Sequence, residues 1–360
     1  KMKVFLVGGA IRDELLGIPF NEKDWVVVNS SHKEMIKQGF KQVGKNFPVY
    51  LHPKTKEEYA LARKEIKTGK GHKNFSFNTK SSVSLNEDLK RRDITINAIA
   101  KDESGKLYDP FGGIKDLKDR RIRIVSKAFS EDPLRLFRVA RFKSKLADFN
   151  FSISRDSLKV LKKMSLNNEI SFLSGERIWD ETQKALSYKN SSKYFATLKK
   201  VGALKYFDGL EKTYSKNLKF LKKMDNETNM VLEKWAIINL NSYHADILER
   251  KIRVPNKISN FRKTINELFQ LTKKKNINEK KLLTSLNKMN FFRDESNLLD
   301  SLDLLQKLKI ISAKTNKNWK TLLKELKKVK VKTSGLKAEE IKEKIFNKRL
   351  KTIQDKKNDL

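Results

Sequence analysis

Short unbroken apolar runs mark the first third of the chain, whereas helical spacing marks the rest. Residues 4–7, 25–28, 59–62 and 121–125 are rich in Val, Ile, Leu and aromatics and are separated by Gly and Pro, which predicts strands joined by turns in a compact α/β head. From about Asp132 the turn signals thin out. Residues 157–164, 176–186 and 297–308 carry apolar side chains at the helical period, so the remainder is expected to be all helical. Residues 317–358 are densely basic with few Gly or Pro, a pattern of amphipathic helices that expose Lys. No internal repeat stands out.

Composition narrows the partners. The chain has 360 residues, 38% of them hydrophobic, enough for a sizeable core and two or three domains. Eighty Lys plus Arg against 43 Asp plus Glu give a formal net charge of +37, a field that attracts polyanions, nucleic acid first among them. The absence of Cys excludes disulfides and thiolate metal sites, and four scattered His do not supply a usual zinc site. No apolar run reaches the roughly 18 residues of a membrane span, and no signal-peptide layout is visible, so the expected compartment is the cytoplasm.

Five segments carry candidate chemistry. Phe5-Leu6-Val7-Gly8-Gly9-Ala10-Ile11-Arg12-Asp13 reads as strand, Gly-Gly turn and helix start, where backbone N–H groups converge on phosphate and Arg12 adds a charged clamp; the same glycines equally suit a plain tight turn. In Glu22-Lys23-Asp24-Trp25-Val26-Val27-Val28 two carboxylates two residues apart enter an apolar strand, which would point them to one face and suit Mg²⁺; alone they equally read as solvated strand-edge charges. Glu58, at the start of Tyr59-Ala60-Leu61-Ala62, is a candidate third carboxylate. The charged run Asp88 to Arg92 leads through Asp93 into an amphipathic stretch ending near Ala98. Packed under the Gly-Gly turn, it would bring Arg92 and Asp93 near a triphosphate and let Asn97 satisfy buried backbone groups. Finally, Asp132, Arg135, Arg138 and Arg141 recur every third residue along one predicted helical stripe while Leu134, Phe137 and Ala140 turn to the core. Asp132 also suits an N-cap with Pro133 at the first helical position. Three Arg with one Asp is costly unless something anionic arrives.

Taken together, LVGGAIRD, the ExD strand, EYALAR, LKRRDITINA, YDPFGG and EDPLRLFRVARF resemble, in order and spacing, the class II CCA-adding enzymes of the tRNA nucleotidyltransferase and bacterial poly(A) polymerase family. These motifs cover residues 3 to 142, and SGERIWDE at 174–181 is similar to the family's neck motif; beyond Gly209 the resemblance is helical character and a final GLKAEEIKEKIFNKRL segment. The resemblance implies an α+β fold: a polymerase-β-like head with a small mixed sheet over residues 1–142, a helical neck over 143–210, and a helical basic body and tail over 211–360. It implies addition of C, C and A to the 3′ end of tRNA from CTP and ATP, by a monomer or homodimer. Glu22 and Asp24 then match metal ligands for Mg²⁺, with Mn²⁺ possible, and Glu58 joins them as a catalytic carboxylate. Gly8, Gly9, Arg12 and Arg92 match nucleotide-binding positions, and Asp132, Arg135, Arg138 and Arg141 match the protein template. On that template a carboxylate accepts from the exocyclic amino group of C or A and an Arg donates to the adjacent ring nitrogen, whereas U and G present the opposite polarity.

Two features depart from the family pattern. Its first metal position is usually Asp, and here it is Glu22; retained activity with altered metal preference, for instance better tolerance of Mn²⁺, is expected. Some members carry an HD phosphohydrolase domain, but His32, His52, His72 and His244 precede Lys, Pro, Lys and Ala, so no such activity is expected. The Lys-rich loop over residues 64–87, with Gly69-Lys70-Gly71, is a candidate for movement between C and A addition. A poly(A) polymerase, a CC-only or A-only relative, and a non-catalytic RNA-binding protein are the rival readings.

Overall fold

The computed structural model describes residues 2–43, 49–67, 75–78, 82–228, 230–274, 276–357 and 360, with backbone alone for 64–67 and 75–78. Contacts divide the chain into two units, Lys1–Leu204 and Lys205–Leu360.

The first unit begins with β1 (Lys3–Val7), α1 (Gly9–Leu15), β2 (Asp24–Val28), α2 (His32–Lys37), β3 (Lys41–Val43), β4 (Val49–Leu51) and β5 (Glu58–Leu61). A hairpin of β6 (Lys64–Lys67) and β7 (Phe75–Asn78) follows, then α3 (Leu85–Lys90), β8 (Ala100–Asp102), β9 (Leu107–Tyr108), α4 (Gly113–Lys118) and β10 (Arg121–Ile122). One mixed sheet has the order β3-β4-β5-β2-β1-β8-β9. In it β2 runs antiparallel to β1 and parallel to β5. Strand alternation assigns β2 to two cores: Val26 and Val28 pack with Phe5 and Val7 on one face, and Val27 packs with Met35, Tyr50 and Leu61 on the other. The strand expected over 121–125 is shorter, because after Ile122 only Ile124 bridges, to Ile94. The expected loop over 64–87 contains the β6–β7 hairpin and the start of α3, while Gly69-Lys70-Gly71 lies outside the described residues.

Helices then take over within the same unit: α5 (Leu134–Lys145), the short β11 (Ser152–Ile153) paired to β10, α6 (Arg155–Leu166), α7 (Gly175–Leu186) and α8 (Ser192–Lys200). α5 packs on α7 and α8. It buries Leu134, Phe137 and Ala140 as the periodicity requires, but Leu136, Val139, Arg135 and Arg141 are buried as well. A helix enclosed on nearly all sides must satisfy its charges from within the protein.

The second unit is helical throughout: α9 (Leu210–Met224), α10 (Val231–Ile238), α11 (Ala245–Ile252), α12 (Asn256–Thr272), α13 (Glu279–Lys288), α14 (Ser296–Lys307), α15 (Ala313–Lys328) and α16 (Ala338–Lys356). Its core gathers Ile237, Phe261, Leu268, Leu302, Trp319 and Leu326. A buried polar knot sits beside it, where Trp235 Nε1 and the Arg262 guanidinium both donate to Glu249, the latter pair at 2.6 Å. α16 buries only Ile353, so the basic amphipathic helices expected at 317–358 are present as α15 and α16, with most Lys exposed. Among the described residues no helix is long and apolar enough to cross a membrane.

Candidate active site

The site is built where β1 ends. Val7 pairs with Asp24 across the β1–β2 ladder, so the chain leaving β1 turns beside the first residue of β2. That turn is Gly8, at φ +77°, and a Cβ there would stand 3.0 Å from Arg92 Nη1. The backbone conformation therefore favours glycine, and a side chain there would also push the Arg92 guanidinium by a few tenths of an ångström. Gly9 opens α1, and Arg12 on its first turn is almost fully buried.

These residues line a cavity of about 780 Å³ whose walls include Gly8, Gly9, Arg12, Glu22, Asp24 and Arg92 on one side. Asp132, Arg135, Arg138 and Arg141 line the other. All the expected site residues except Glu58 thus meet in one place. Glu58 stands outside the lining, although its in-register parallel pairing with Asp24 starts both carboxylates on the same face of the sheet. A larger cavity of about 1110 Å³, framed by β10, β11 and α6, has Arg121, Lys127, Arg155 and Lys163 at its edge and none of the expected site residues.

One expectation is corrected at the carboxylates. β2 starts at Asp24, so Glu22 lies in the segment before the strand and the period-2 rule does not orient it. It reaches the cavity from a backbone outside the sheet, where an extra methylene adds reach. Among the described residues no group of three or more His, Asp or Glu is arranged to hold a metal ion. Neither Glu22 nor Asp24 hydrogen-bonds or ion-pairs with a described side chain, so two hard oxygen donors face the cavity uncommitted, a donor set that fits a divalent cation sharing further oxygens with a substrate.

The remaining charges are tied down. The Arg12 guanidinium donates to Asp13 at 2.8 Å and to Asn97 Oδ1 at 2.6 Å, and Lys145 holds the other Asp13 oxygen at 2.7 Å. Asn97 in turn donates to Asp93 Oδ1 at 3.1 Å, and Arg138 grips Asp93 Oδ2 at 2.7 Å. The Asn97 side chain therefore joins two charged residues, where backbone partners were expected. A hydrogen-bonded chain runs Arg12–Asn97–Asp93–Arg138 from the glycine turn to α5. Burial pushes the Asp93 carboxyl up, but Arg138, Asn97 and Arg135 outweigh it and hold it far below the usual carboxylate range. Asp93 correspondingly raises Arg138 above its ordinary value against the opposing effect of burial.

Sequence reasoning left four supporting residues without roles. Asp88 is fully buried and accepts from the Arg63 backbone N–H, from Arg91 at 3.0 Å and from Arg92 at 3.3 Å. Burial alone would raise its pKa; the two guanidinium groups pull it below the ordinary value. Burial also lowers Arg92, partly offset by Asp88. Glu181 on α7 pairs with Arg141 and lies 3.7 Å from Arg138, while Tyr188 accepts from Arg141 at 3.1 Å. Arg177, also on α7, pairs with Asp132 Oδ2 at 3.0 Å. Asp88 had a local signal, since it lies three and four residues before Arg91 and Arg92 on a helix. Glu181 and Arg177 are 40 and 45 positions from their partners, and only the packing of α7 on α5 reveals them. The anions required by the α5 arginines are thus supplied largely by Asp93 and Glu181 of the protein itself. Asp132 has extended backbone angles and accepts from the Leu134 N–H at 3.1 Å, while Pro133 already has helical angles, so Asp132 caps the start of α5 and Pro133 leads into its first turn.

Residues 4–123 match the family described as the poly A polymerase head domain, and residues 150–212 match the one described as "Probable RNA and SrmB- binding site of polymerase A". The CCA-adding enzyme of Coxiella burnetii is 47% identical over 258 residues, 71% of this chain and 68% of that protein. The multifunctional CCA protein of Acinetobacter baumannii is 53% identical over 205 residues, 57% of this chain and 50% of that protein, so the chain spans about half the length of these multifunctional relatives. In fold, the Bacillus stearothermophilus CCA-adding enzyme solved in complex with CTP aligns with a TM-score of 0.69 at 23% identity, over 98% of this chain and 89% of that one. This chain belongs to the CCA-adding enzyme family, whose head is of the poly A polymerase type.

Proposed function

We propose that the chain adds C, C and A to the 3′ end of tRNA from CTP and ATP, releasing pyrophosphate, without a nucleic-acid template. The observation that carries this reading is the single cavity in which the Gly8–Gly9 turn and uncommitted carboxylates face Asp132 and the α5 arginines, in a chain of the CCA-adding family.

Glu22 and Asp24 would hold a divalent cation, Mg²⁺ first, with Glu58 available on the adjacent strand. A cation so held supplies charge neutralisation at the phosphates and makes the attacking hydroxyl easier to deprotonate. The chain's own contributions are positional and electrostatic. The turn amides and Gly8 admit the triphosphate close to the backbone, and Arg92, kept near the turn by Asp88, offsets its charge. Arg12 is held by Asp13 and Asn97 and keeps the turn in register with Asp93 and α5. Asp132 accepts from the exocyclic amino group of cytosine or adenine and Arg135 donates to the neighbouring ring nitrogen, so that U and G leave buried polar groups unpaired. Arg138 and Arg141, each tied to a carboxylate, fix the helix that carries this pair. The tRNA is held by its phosphates on exposed Lys of helices such as α15 and α16, a largely sequence-independent interaction that weakens with salt. The enzyme works in the cytoplasm, with residues 1–142 as head, 143–210 as neck and 211–360 as body and tail.

The test is incorporation of each labelled NTP, with Mg²⁺, onto tRNA transcripts lacking CCA, lacking the terminal A, and complete, with an unrelated RNA alongside. Ordered C, C, A addition that then stops supports the proposal. Long A tails on any RNA would make the chain a poly(A) polymerase, addition of C alone or A alone would make it a partial-activity relative, and binding without incorporation would make it a non-catalytic RNA-binding protein.

A further inference from the structure

We infer that Arg177 is a positioning residue for base selection, acting through Asp132. This rests on the reading of Asp132 as the base-selecting carboxylate, and it assigns a role to a residue on a different helix from that carboxylate.

Both oxygens of Asp132 are engaged within the protein. Oδ1 accepts from the Leu134 backbone N–H at 3.1 Å, which orients the carboxylate relative to the start of α5. Oδ2 accepts from Arg177 Nη2 at 3.0 Å, which fixes its remaining rotational freedom. Each oxygen keeps a further lone pair for an incoming amino group. Asp132 and Arg177 both line the 780 Å³ cavity, with side chains only 19% and 26% exposed, so the pair is shielded enough for its geometry to matter. A carboxylate held by the backbone alone would swing about its side-chain torsions and accept from any donor within reach.

The second observation concerns the other arm of the same guanidinium. Arg177 Nη1 is buried and has no hydrogen-bond partner among the described residues, an arrangement that costs stability. Side chains selected for packing alone seldom keep such a group, whereas binding sites do hold them. The Asp132 carboxylate therefore depends on Arg177 for its orientation, and the neck-like segment Ser174 to Glu181 takes part in reading the base through that contact.

The experiment is single-nucleotide incorporation, CTP against UTP on tRNA lacking CCA and ATP against GTP on tRNA ending in CC. It compares the full-length wild type with Arg177→Ala, Arg177→Lys, Asp132→Ala and the double variant Arg177→Ala/Asp132→Ala. Arg177→Ala should raise KM for CTP and ATP about tenfold with kcat changed much less, and should lower the CTP:UTP and ATP:GTP selectivity about tenfold. Arg177→Lys should recover part of that selectivity, and the double variant should be no less selective than Asp132→Ala alone. Thermal melting identifies any variant that does not fold; if Arg177→Ala is one, Arg177→Lys and Arg177→Gln carry the same comparison. Unchanged selectivity in folded Arg177 variants, or an equal fall in kcat for all four nucleotides, overturns the inference while a selectivity loss in Asp132→Ala leaves the base-selecting reading standing. Unchanged selectivity in Asp132→Ala overturns that reading, and the inference with it.

Discussion

The two walls of the cavity are wired in opposite ways. On the sheet side Glu22 and Asp24 make no hydrogen bond or ion pair with a side chain among the described residues, whereas on the α5 side Arg138, Arg141 and Asp132 are each paired to a charge from another element. The difference matches what each wall would do under the proposed function. A wall that receives a cation and a triphosphate keeps its oxygens available, because any internal partner would have to be displaced. A wall that must discriminate between similar bases gains from rigidity, because loose polar groups accept the wrong partner as readily as the right one.

Breaking each wall should therefore have different signatures. Asp24→Asn should lower nucleotide addition about a thousandfold, roughly 4 kcal/mol of barrier, while thermal melting stays within about 2 °C of wild type, since no hydrogen bond or ion pair to a described residue is lost and only its attraction for Arg92 goes. A large loss of melting temperature in that variant would contradict the view of Asp24 as uncommitted. Glu181→Ala should do the reverse in kind: removing the anion beside Arg141 leaves a buried charge uncompensated and should cost about 3 kcal/mol of stability, measured by denaturant unfolding. Gly8→Ala sharpens the comparison at the junction of the walls. Its positive φ and the nearby Arg92 should cost about 2 kcal/mol and raise KM for both nucleotides, read by melting and by steady-state kinetics.

The smallest effect is a pH dependence. Because the folded pKa of Asp93 is depressed, its ionisation contributes stability that is fully present above the unfolded-state value of about 3.9 and is lost as pH falls below it. Asp93→Asn should accordingly be less stable than wild type at neutral pH, with the gap closing on acidification below about pH 4. A gap that stays constant to low pH would mean that Asp93 is not the acid-sensitive link between Asn97 and Arg138.

Much of this was legible in the sequence because it is local. The Gly8–Gly9 turn, the strand at 25–28 and the helix after Pro133 each declare themselves within a few residues, through glycine, alternation and a capping Asp. The order of motifs brought the expected residues to one cavity, Glu58 excepted. Glu22 was assigned to a strand that starts two residues later, an error of boundary that period-2 reasoning does not detect. The α5 stripe was legible as a pattern but not as an environment. Periodicity divides a helix into a buried and an exposed face, and α5 is enclosed by α7 and α8, so Arg135 and Arg141 are buried on what had been read as the open side. Glu181, the partner of Arg141, and Arg177, the partner of Asp132, come from a helix distant in sequence, and no local pattern encodes either pairing.

The central claim is that the protein alone, with no nucleic acid, chooses the base. Calorimetric titration of CTP, ATP, UTP and GTP into the RNA-free protein with Mg²⁺, repeated with Asp132→Ala, tests it most directly. The account predicts that CTP and ATP bind, that UTP and GTP bind at least about tenfold more weakly, and that Asp132→Ala erases the difference. Equal affinity for all four nucleotides in the wild type would contradict it.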